Sequence, residues 1–148
     1  MKQAMCRADV NPLKHQKMTP LIGSIFGEEH MDDARFLQKD CVYRVKCVHC
    51  GECYTGETQQ KLYKRIYGHW YPLHSDKTSS GKEGQESALT EHYLNHHKGM
   101  PFLLELVEVV KTCGYIKRKT MEAVVQATTD STINRRIEGA GTVGNLYL

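Results

Sequence analysis

Cysteines and histidines stand at metal-binding spacings in two parts of the chain. Cys47 and Cys50 are separated by two residues, which is the spacing of half a zinc site. The later stretch EHYLNHH pairs His92 with either His96 or His97, and both spacings fall in the range that zinc sites use. The sequence therefore predicts a structural zinc site made of Cys47, Cys50, His92 and one of the two following histidines.

A redox-active cysteine pair, or buried thiols beside surface histidines, is the alternative interpretation. A redox pair usually opens a helix, where the macrodipole lowers the thiol pKa, whereas Cys47 and Cys50 fall in the turn of a predicted hairpin. A disulfide scaffold is disfavoured, because the six cysteines come with no apolar signal segment. We therefore expect a reducing compartment. Cys53 could also reach the metal, but its expected role is that of a strand residue.

A second set of residues could act on a phosphodiester. Tyr43 and Tyr54 stand on two predicted strands, and Arg65 and His69 lie one turn apart on the next predicted helix. Glu122 stands on the last predicted helix. Phosphodiester hydrolysis needs a base for the attacking water, a cation for the phosphate oxygens and a carboxylate that holds a metal. Tyrosine, arginine and glutamate can fill these roles, although each residue alone could serve packing or solvation.

The predicted elements that carry these residues follow the order β-β-α-α-β-α. Valine and tyrosine enrichment indicates strands over residues 41–46, 52–56 and 102–110. Apolar periodicity indicates helices over residues 60–71, 88–96 and 116–127. The first two strands should pair as an antiparallel hairpin. The predicted fold is therefore α+β: a small three-stranded, mainly antiparallel sheet flanked by helices, with a zinc knuckle in the first hairpin.

Several details of this fold can be tested. The last strand is almost continuously apolar, so we expect it at the centre of the sheet. Leu62, Ile66 and Trp70 should form the inward stripe of the first helix. In the last helix the inward residues should be Met121, Val124 and Val125, and Ser87 should cap the second helix.

The chain is expected to hold one domain, residues 39–148, after an extension or linker over residues 1–38. Within the extension, residues 32–38 could form two helical turns. A polar loop is predicted over 75–86, and a loop with one terminal strand over 128–148. The net charge of +3 is a weak indication of a polyanionic partner. No apolar run approaches the roughly 18 residues of a membrane helix.

The hairpin and first helix resemble those of the GIY-YIG nucleases. The letters CVY at 41–43 stand where the family has its first triplet, and YTG at 54–56 where it has its second. The match is closer to the endonucleases of Penelope-like retroelements, which also place a cysteine pair between the triplets and histidines downstream. The resemblance covers about residues 41–134.

This resemblance implies a role for each residue near the hairpin. Tyr43 would orient or deprotonate the attacking water, and Tyr54 would support that water or the scissile phosphate. Arg65 would bind the phosphate and stabilise its developing charge. His69 would act as a phosphate contact or as a proton partner.

The same resemblance implies the rest of the site. Glu122 would hold one divalent ion, Mg²⁺ or Mn²⁺, which keeps several waters and relies on substrate phosphates. Asn134 would brace the site. The resemblance also favours His97 over His96 as the fourth zinc ligand.

Basic residues on both sides of the predicted cleft could follow a DNA backbone. The alternative is ordinary solvated helix faces. The candidates lie on the first helix, before the glutamate of the last helix and after Asn134: Lys61, Lys64, Lys117, Arg118, Lys119, Arg135 and Arg136. A dinucleotide-like GxGxxG string at 139–144 has no strand before it and is expected to be a tail.

The sequence thus predicts a metal-dependent DNA endonuclease that nicks target DNA for retroelement insertion and leaves a 5′-phosphate and a 3′-hydroxyl. Its expected partners are DNA and a reverse transcriptase region of the same element, in the nucleus or another reducing intracellular compartment. A non-catalytic zinc-stabilised module that binds nucleic acid or protein is the alternative.

Overall fold

The computed structural model describes residues 20–74 and 87–134, and the chain divides into two compact units, Met1–Asp33 and Ala34–Leu148. In the first unit, residues 20–26 are helical and a 3₁₀ turn follows at Glu28–His30. Ile22, Ile25 and Phe26 are buried. The second unit contains every residue of the candidate sites.

The second unit has the predicted order of elements, β-β-α-α-β-α, after a 3₁₀ turn at Ala34–Leu37. That turn is all the helix found within the predicted 32–38 segment. The strands are β1 (Cys41–Cys47), β2 (Cys53–Thr58) and β3 (Leu104–Lys111), and the helices are α1 (Leu62–His74), α2 (Ala88–His96) and α3 (Tyr115–Thr128). The predicted α+β class is confirmed.

The three strands form one antiparallel sheet in the order β2-β1-β3, so β1 is central. The prediction that the last strand is central is wrong. Although β3 is rich in apolar residues, its side chains alternate in burial: Leu104 and Leu106 are buried, while Glu105 and Val107 are exposed. Such alternation is typical of an antiparallel strand that faces solvent on one side.

Each helix packs through a stripe that includes a polar residue. In α1 the buried residues are Leu62, Ile66 and His69, whereas Trp70 is only partly buried. His69 therefore occupies the inward position that hydrophobicity assigned to the tryptophan. In α2 the predicted cap is confirmed, because the Thr90 N–H donates to Ser87 Oγ over 3.2 Å.

In α3 the prediction is wrong for two of the three residues. Val125 is buried, but Met121 and Val124 are 37% and 42% exposed. Arg118 is buried and the Glu122 side chain is 16% exposed, so the inward face runs through residues 118, 122 and 125. These residues share one helical face at i, i+4 and i+7. Arg118 pairs with Asp40 and Glu57, and Glu122 lies near Lys119, so two charged side chains occupy this face. A count of apolar residues does not predict them.

The predicted loop over 75–86 and the predicted C-terminal strand lie outside the described residues, apart from the turn over 131–134. Among the helices that the structure describes, none has both the length and the apolar character needed to cross a membrane.

Candidate functional site

The hairpin turn and α2 together present a cluster of four potential metal ligands. Cys47 ends β1 and Cys50 lies in the turn that follows. The turn is closed by the Gly51 N–H, which donates to the Cys47 carbonyl over 2.7 Å. Gly51 has a φ of 78°, a conformation that favours glycine. This turn directs both cysteines toward the end of α2.

The ligand atoms of Cys47, Cys50, His92 and His97 all lie within 4.8 Å of one another. Cys47 Sγ is 3.5 Å from His97 Nε2, and Cys50 Sγ is 3.3 Å from His92 Nε2. The two Nε2 atoms are 3.1 Å apart. Zinc bonds of about 2.3 Å to sulfur and 2.0–2.1 Å to nitrogen give tetrahedral ligand separations of about 3.3–3.8 Å. The cluster can therefore hold a metal ion such as zinc.

The end of α2 explains why His97, and not His96, belongs to this cluster. His96 is the last helical residue and is exposed. His97 leaves helical geometry, with a φ of −131°, although its N–H still donates to the Tyr93 carbonyl. This change in direction brings its ring to the cysteines. Burial and neighbouring imidazoles lower the pKa of both His92 and His97, which favours the neutral form that binds metals.

Two residues that the sequence did not single out support the cluster. The Glu52 carboxylate lies 3.5 Å from His92 Nδ1, on the side of the ring opposite the cysteine. Carboxylates in this position fix the tautomer of a metal-binding histidine. Tyr93 Oη donates to the Leu103 carbonyl over 2.6 Å and accepts from the Cys47 thiol over 3.4 Å. The position of Glu52 just after the knuckle was the available signal for its role.

A second cluster forms where β1, β2 and α1 meet. Tyr43 is fully buried and Tyr54 is 4% exposed. Tyr43 Oη lies 2.6 Å from His69 Nε2, and the rings of Tyr54 and His69 meet edge to face with centroids 5.4 Å apart. The structure thus brings both strand tyrosines and the helix histidine into one site.

Gly56 makes this arrangement possible, because it lies opposite Tyr43 in the β1–β2 ladder. A Cβ at residue 56 would overlap the Tyr43 hydroxyl and approach Tyr54 Cε1 to 2.9 Å. Glycine is therefore needed here for close approach of side chains, and the φ of this residue is not in the left-handed region.

Arg65 joins the tyrosines from α1. Burial raises the pKa of Tyr43 well above its usual range, the nearby Tyr54 adds to this effect, and the Arg65 guanidinium opposes it. Arg65 interacts with the hydroxyls of both tyrosines. Its Nε atom is buried and has no hydrogen-bond partner among the described residues. An unsatisfied guanidinium donor of this kind is well suited to an anion.

Glu122 approaches the same cluster from α3, near enough that its charge also raises the pKa of Tyr43. Its Oε2 atom lies 3.7 Å from Lys119 Nζ. The lysine also contacts Glu57 Oε1 over 2.8 Å, so the two carboxylates share one cation. A carboxylate here is the type of ligand that Mg²⁺ prefers.

Asn134 lies at the outer edge of β2 and acts on the backbone. Its Oδ1 accepts from the Thr55 N–H and its Nδ2 donates to the Thr55 carbonyl, both over 2.8 Å. The Ser131 and Thr55 hydroxyls are 2.6 Å apart, and the Ile133 N–H donates to the Cys53 carbonyl. Asn134 therefore holds the strand that carries Tyr54 by bonding the backbone of Thr55.

The basic residues divide into four groups. Lys64 and Lys117 are exposed, and Lys61 and Lys119 are partly exposed. Arg135 and Arg136 lie outside the described residues. Arg118 corrects the prediction, because its side chain is 6% exposed and pairs with Asp40 and Glu57. It anchors α3 to the sheet and cannot follow a DNA backbone.

Comparison with protein families, with curated proteins and with solved structures found no match to this chain.

Proposed function

We propose that the chain is a metal-dependent DNA endonuclease of the GIY-YIG type, a phosphodiester hydrolase whose hairpin is held by a structural zinc ion. The observation that supports this most strongly is the convergence of Tyr43, Tyr54, Arg65, His69 and Glu122 on one site. These residues come from four different elements, yet they bring together the cation, hydroxyls and carboxylate that phosphodiester hydrolysis requires.

Arg65 binds the scissile phosphate through the guanidinium face that contains the unpartnered Nε atom. A planar guanidinium can bind two phosphate oxygens and neutralise the charge that develops on them. Tyr54 interacts with the same guanidinium and holds it in position. This is the electrostatic part of the catalytic effect, and such fixed donors commonly make the largest single contribution.

Tyr43 orients the attacking water and is not the group that deprotonates it. Burial raises the pKa of this hydroxyl well above its usual range, so the tyrosinate does not form near neutral pH. His69 serves Tyr43 as a proton partner, since its two ring nitrogens contact Tyr43 and Ser87. Neither nitrogen is then available to the phosphate.

Glu122 would hold Mg²⁺ or Mn²⁺ together with the substrate phosphate, and the ion would neutralise charge on the phosphate and leaving oxygens. Cleavage of the P–O3′ bond leaves a 5′-phosphate and a 3′-hydroxyl that could prime reverse transcription. The resemblance of the hairpin to Penelope-like endonucleases supports retroelement target DNA in the nucleus as the proposed substrate, and a reverse transcriptase region of the same element as the proposed partner.

Zinc would be the ion of the Cys47, Cys50, His92 and His97 cluster. All four groups of this set would be protein ligands, which is typical of structural zinc and leaves no open position for a substrate. Its role is to join the β1–β2 turn to α2. The exposed Lys64 and Lys117 would contact DNA phosphates, with the partly exposed Lys61 and Lys119 beside them.

A plasmid-nicking assay tests the enzyme proposal. In Mg²⁺ the wild type should relax supercoiled DNA, and Glu122→Gln and Arg65→Met should each reduce the rate by at least about 10²-fold, as expected for loss of a transition-state electrostatic group. Lys98→Met is the matched control, because it removes an exposed positive charge that belongs to neither cluster and to no proposed DNA contact, so it should retain nicking.

A wild type that binds zinc but leaves supercoiled DNA intact in both Mg²⁺ and Mn²⁺ would refute the enzyme proposal. The zinc-stabilised binding module would then be the better interpretation. Equal nicking by the wild type and both site variants would instead show that the activity does not depend on Glu122 and Arg65.

A further inference from the structure

We propose that Ser87 and Thr90, at the start of α2, are positioning residues that fix the tautomer of His69 and thereby the direction of the Tyr43 hydroxyl. The catalytic consequence rests on the proposed function, whereas the tautomer itself follows from the hydrogen bonds of a neutral imidazole ring. Neither residue belongs to the tyrosine–arginine–glutamate cluster, and both act through the His69 ring.

The direction of the first hydrogen bond is set by a carbonyl. Thr90 Oγ1 lies 2.9 Å from the His69 carbonyl oxygen. A carbonyl has no proton to donate, so the threonine hydroxyl must donate in this bond. Its single proton is therefore committed to the backbone of α1.

The second bond follows from the first. Ser87 Oγ lies 3.1 Å from Thr90 Oγ1. Because the Thr90 proton is already used, the Ser87 hydroxyl must donate to Thr90. Ser87 Oγ also accepts the Thr90 backbone N–H as the cap of α2. Toward any third partner, this oxygen can only accept.

The third partner is His69, whose Nδ1 atom lies 2.7 Å from Ser87 Oγ. Since Ser87 has no proton left to donate, Nδ1 must bear the hydrogen. Burial, together with the nearby charge of Arg65, lowers the pKa of His69 to about 3, so the ring is neutral and has only this one N–H. Nε2 is then an acceptor, and Tyr43 Oη must donate to it across 2.6 Å.

The direction of the Tyr43 hydroxyl proton decides whether the oxygen can accept hydrogen bonds from its other neighbours. With its proton turned toward His69, the oxygen presents its lone pairs to Arg65, a donor, and to an incoming water. In the opposite tautomer Nε2 would donate to Tyr43, and the hydroxyl proton would have to point toward the guanidinium or the phosphate site. Two donors would then face each other, and the oxygen would be less able to accept a hydrogen bond from water.

Thr90→Val separates this positioning role from the helix cap. Valine matches threonine in shape but lacks the hydroxyl, while the residue 90 N–H still caps on Ser87. The Ser87 proton is then free to turn toward His69 Nδ1, which allows the other tautomer. Thr90→Ser is the matched control, because it keeps a hydroxyl at the same position.

Nitrogen-15 NMR of the His69 ring in the full zinc-loaded chain reads the tautomer directly. We expect an Nδ1–H ring in the wild type and Thr90→Ser, and a mixture or an Nε2–H ring in Thr90→Val. In the nicking assay Thr90→Val should reduce kcat by roughly 10-fold or more with little change in KM, since a wrong imidazole tautomer costs serine proteases up to about 10⁴-fold. Thr90→Ser should retain most of the wild-type kcat.

The two proposals fail in different ways. An Nε2–H ring in the wild type, or an unchanged tautomer and kcat in Thr90→Val, overturns the positioning proposal even if the protein nicks DNA. An Nδ1–H ring that shifts in Thr90→Val supports the positioning of Tyr43 even if no nicking is found, in which case only the enzyme proposal fails.

Discussion

At the scale of single residues, the site depends on how closely polar groups can approach. The Tyr43 hydroxyl is buried beside His69, Tyr54 and Arg65, and each neighbour limits where it can point. Such buried polar networks are stable only when their members are satisfied, so small displacements are costly. Gly56 provides the space in which the hydroxyl lies.

Gly56→Ala should damage the site more than the fold. The added methyl group would overlap the Tyr43 hydroxyl and force the ring to move. We expect a loss of about 1–3 kcal/mol in the free energy of unfolding, as is usual for overpacking, and a loss of nicking that exceeds it. Urea denaturation and the nicking assay measure the two effects.

Gly68→Ala is the control for that variant. Gly68 lies on α1, and a Cβ there meets nothing within 4 Å. Alanine in an exposed helix position should stabilise the protein by about 0.5–1 kcal/mol. Nicking that survives Gly56→Ala unchanged would show that the position of the Tyr43 hydroxyl is not important.

At the scale of elements, α3 is held to the sheet by charge as well as by apolar contact. Arg118 pairs with Asp40 before β1 and with Glu57 on β2, and Lys119 adds a second contact to Glu57. The carboxylate of Glu122 lies on the same inward face. The ion pairs therefore set the position of the helix that presents Glu122 to the tyrosines.

Arg118→Met should destabilise the protein by about 2–3 kcal/mol, somewhat less than a typical broken buried pair because Lys119 still contacts Glu57. Lys117→Met, at an exposed neighbouring position, should change stability by less than about 0.5 kcal/mol. Denaturation at neutral pH measures both. Equal stability of the two variants would argue against an anchoring role for Arg118.

The effect of Arg118→Met should also depend on pH. Burial alone would raise the pKa of Glu57, but the hydrogen bonds from Lys119 and Arg118 outweigh it and lower this pKa below the usual 4.5. A depressed carboxyl pKa contributes stability above the unfolded-state value, and that contribution is lost as pH falls through the folded-state value. The difference between wild type and Arg118→Met should therefore shrink below about pH 4.

At the scale of the whole molecule, the Cys47, Cys50, His92 and His97 cluster joins parts of the second unit that are distant in sequence. The turn between β1 and β2 meets the end of α2, more than 40 residues later. A metal ion at this point would close a long loop, and closure of long loops restricts the unfolded chain strongly. The same hairpin carries both tyrosines of the candidate active site.

Removal of the proposed zinc ion should therefore lower the melting temperature of the whole second unit. We expect a chelator or His97→Ala to abolish stoichiometric zinc, measured by elemental analysis, and to reduce Tm by several degrees. His96→Ala is the matched control, because its exposed side chain lies outside the cluster. A metal-free protein with an unchanged Tm would argue against a structural ion.

Much of the fold could be predicted from local sequence. The order of the elements, the first hairpin and the Ser87 cap follow from strand and helix propensities and from capping chemistry, which act over a few residues. The spacing of Cys47 and Cys50 and the presence of histidines near the end of α2 are likewise local. The spacing left both His96 and His97 open, and the direction of the chain after α2 brings His97 to the cluster. For this reason the predicted α+β class and the observed Cys and His cluster agree.

Only the tertiary structure decided how the elements pack and which polar groups are buried. Strand order depends on which strand pairs along both of its edges, and β1 occupies that place although β3 has the more continuous apolar run. Arg118 and His69 point inward because partners from other elements satisfy them there. The tautomer of His69 depends on hydrogen bonds that join α1 to α2. Long-range pairing of buried polar groups leaves no periodic signal in the sequence, since each partner lies on another element.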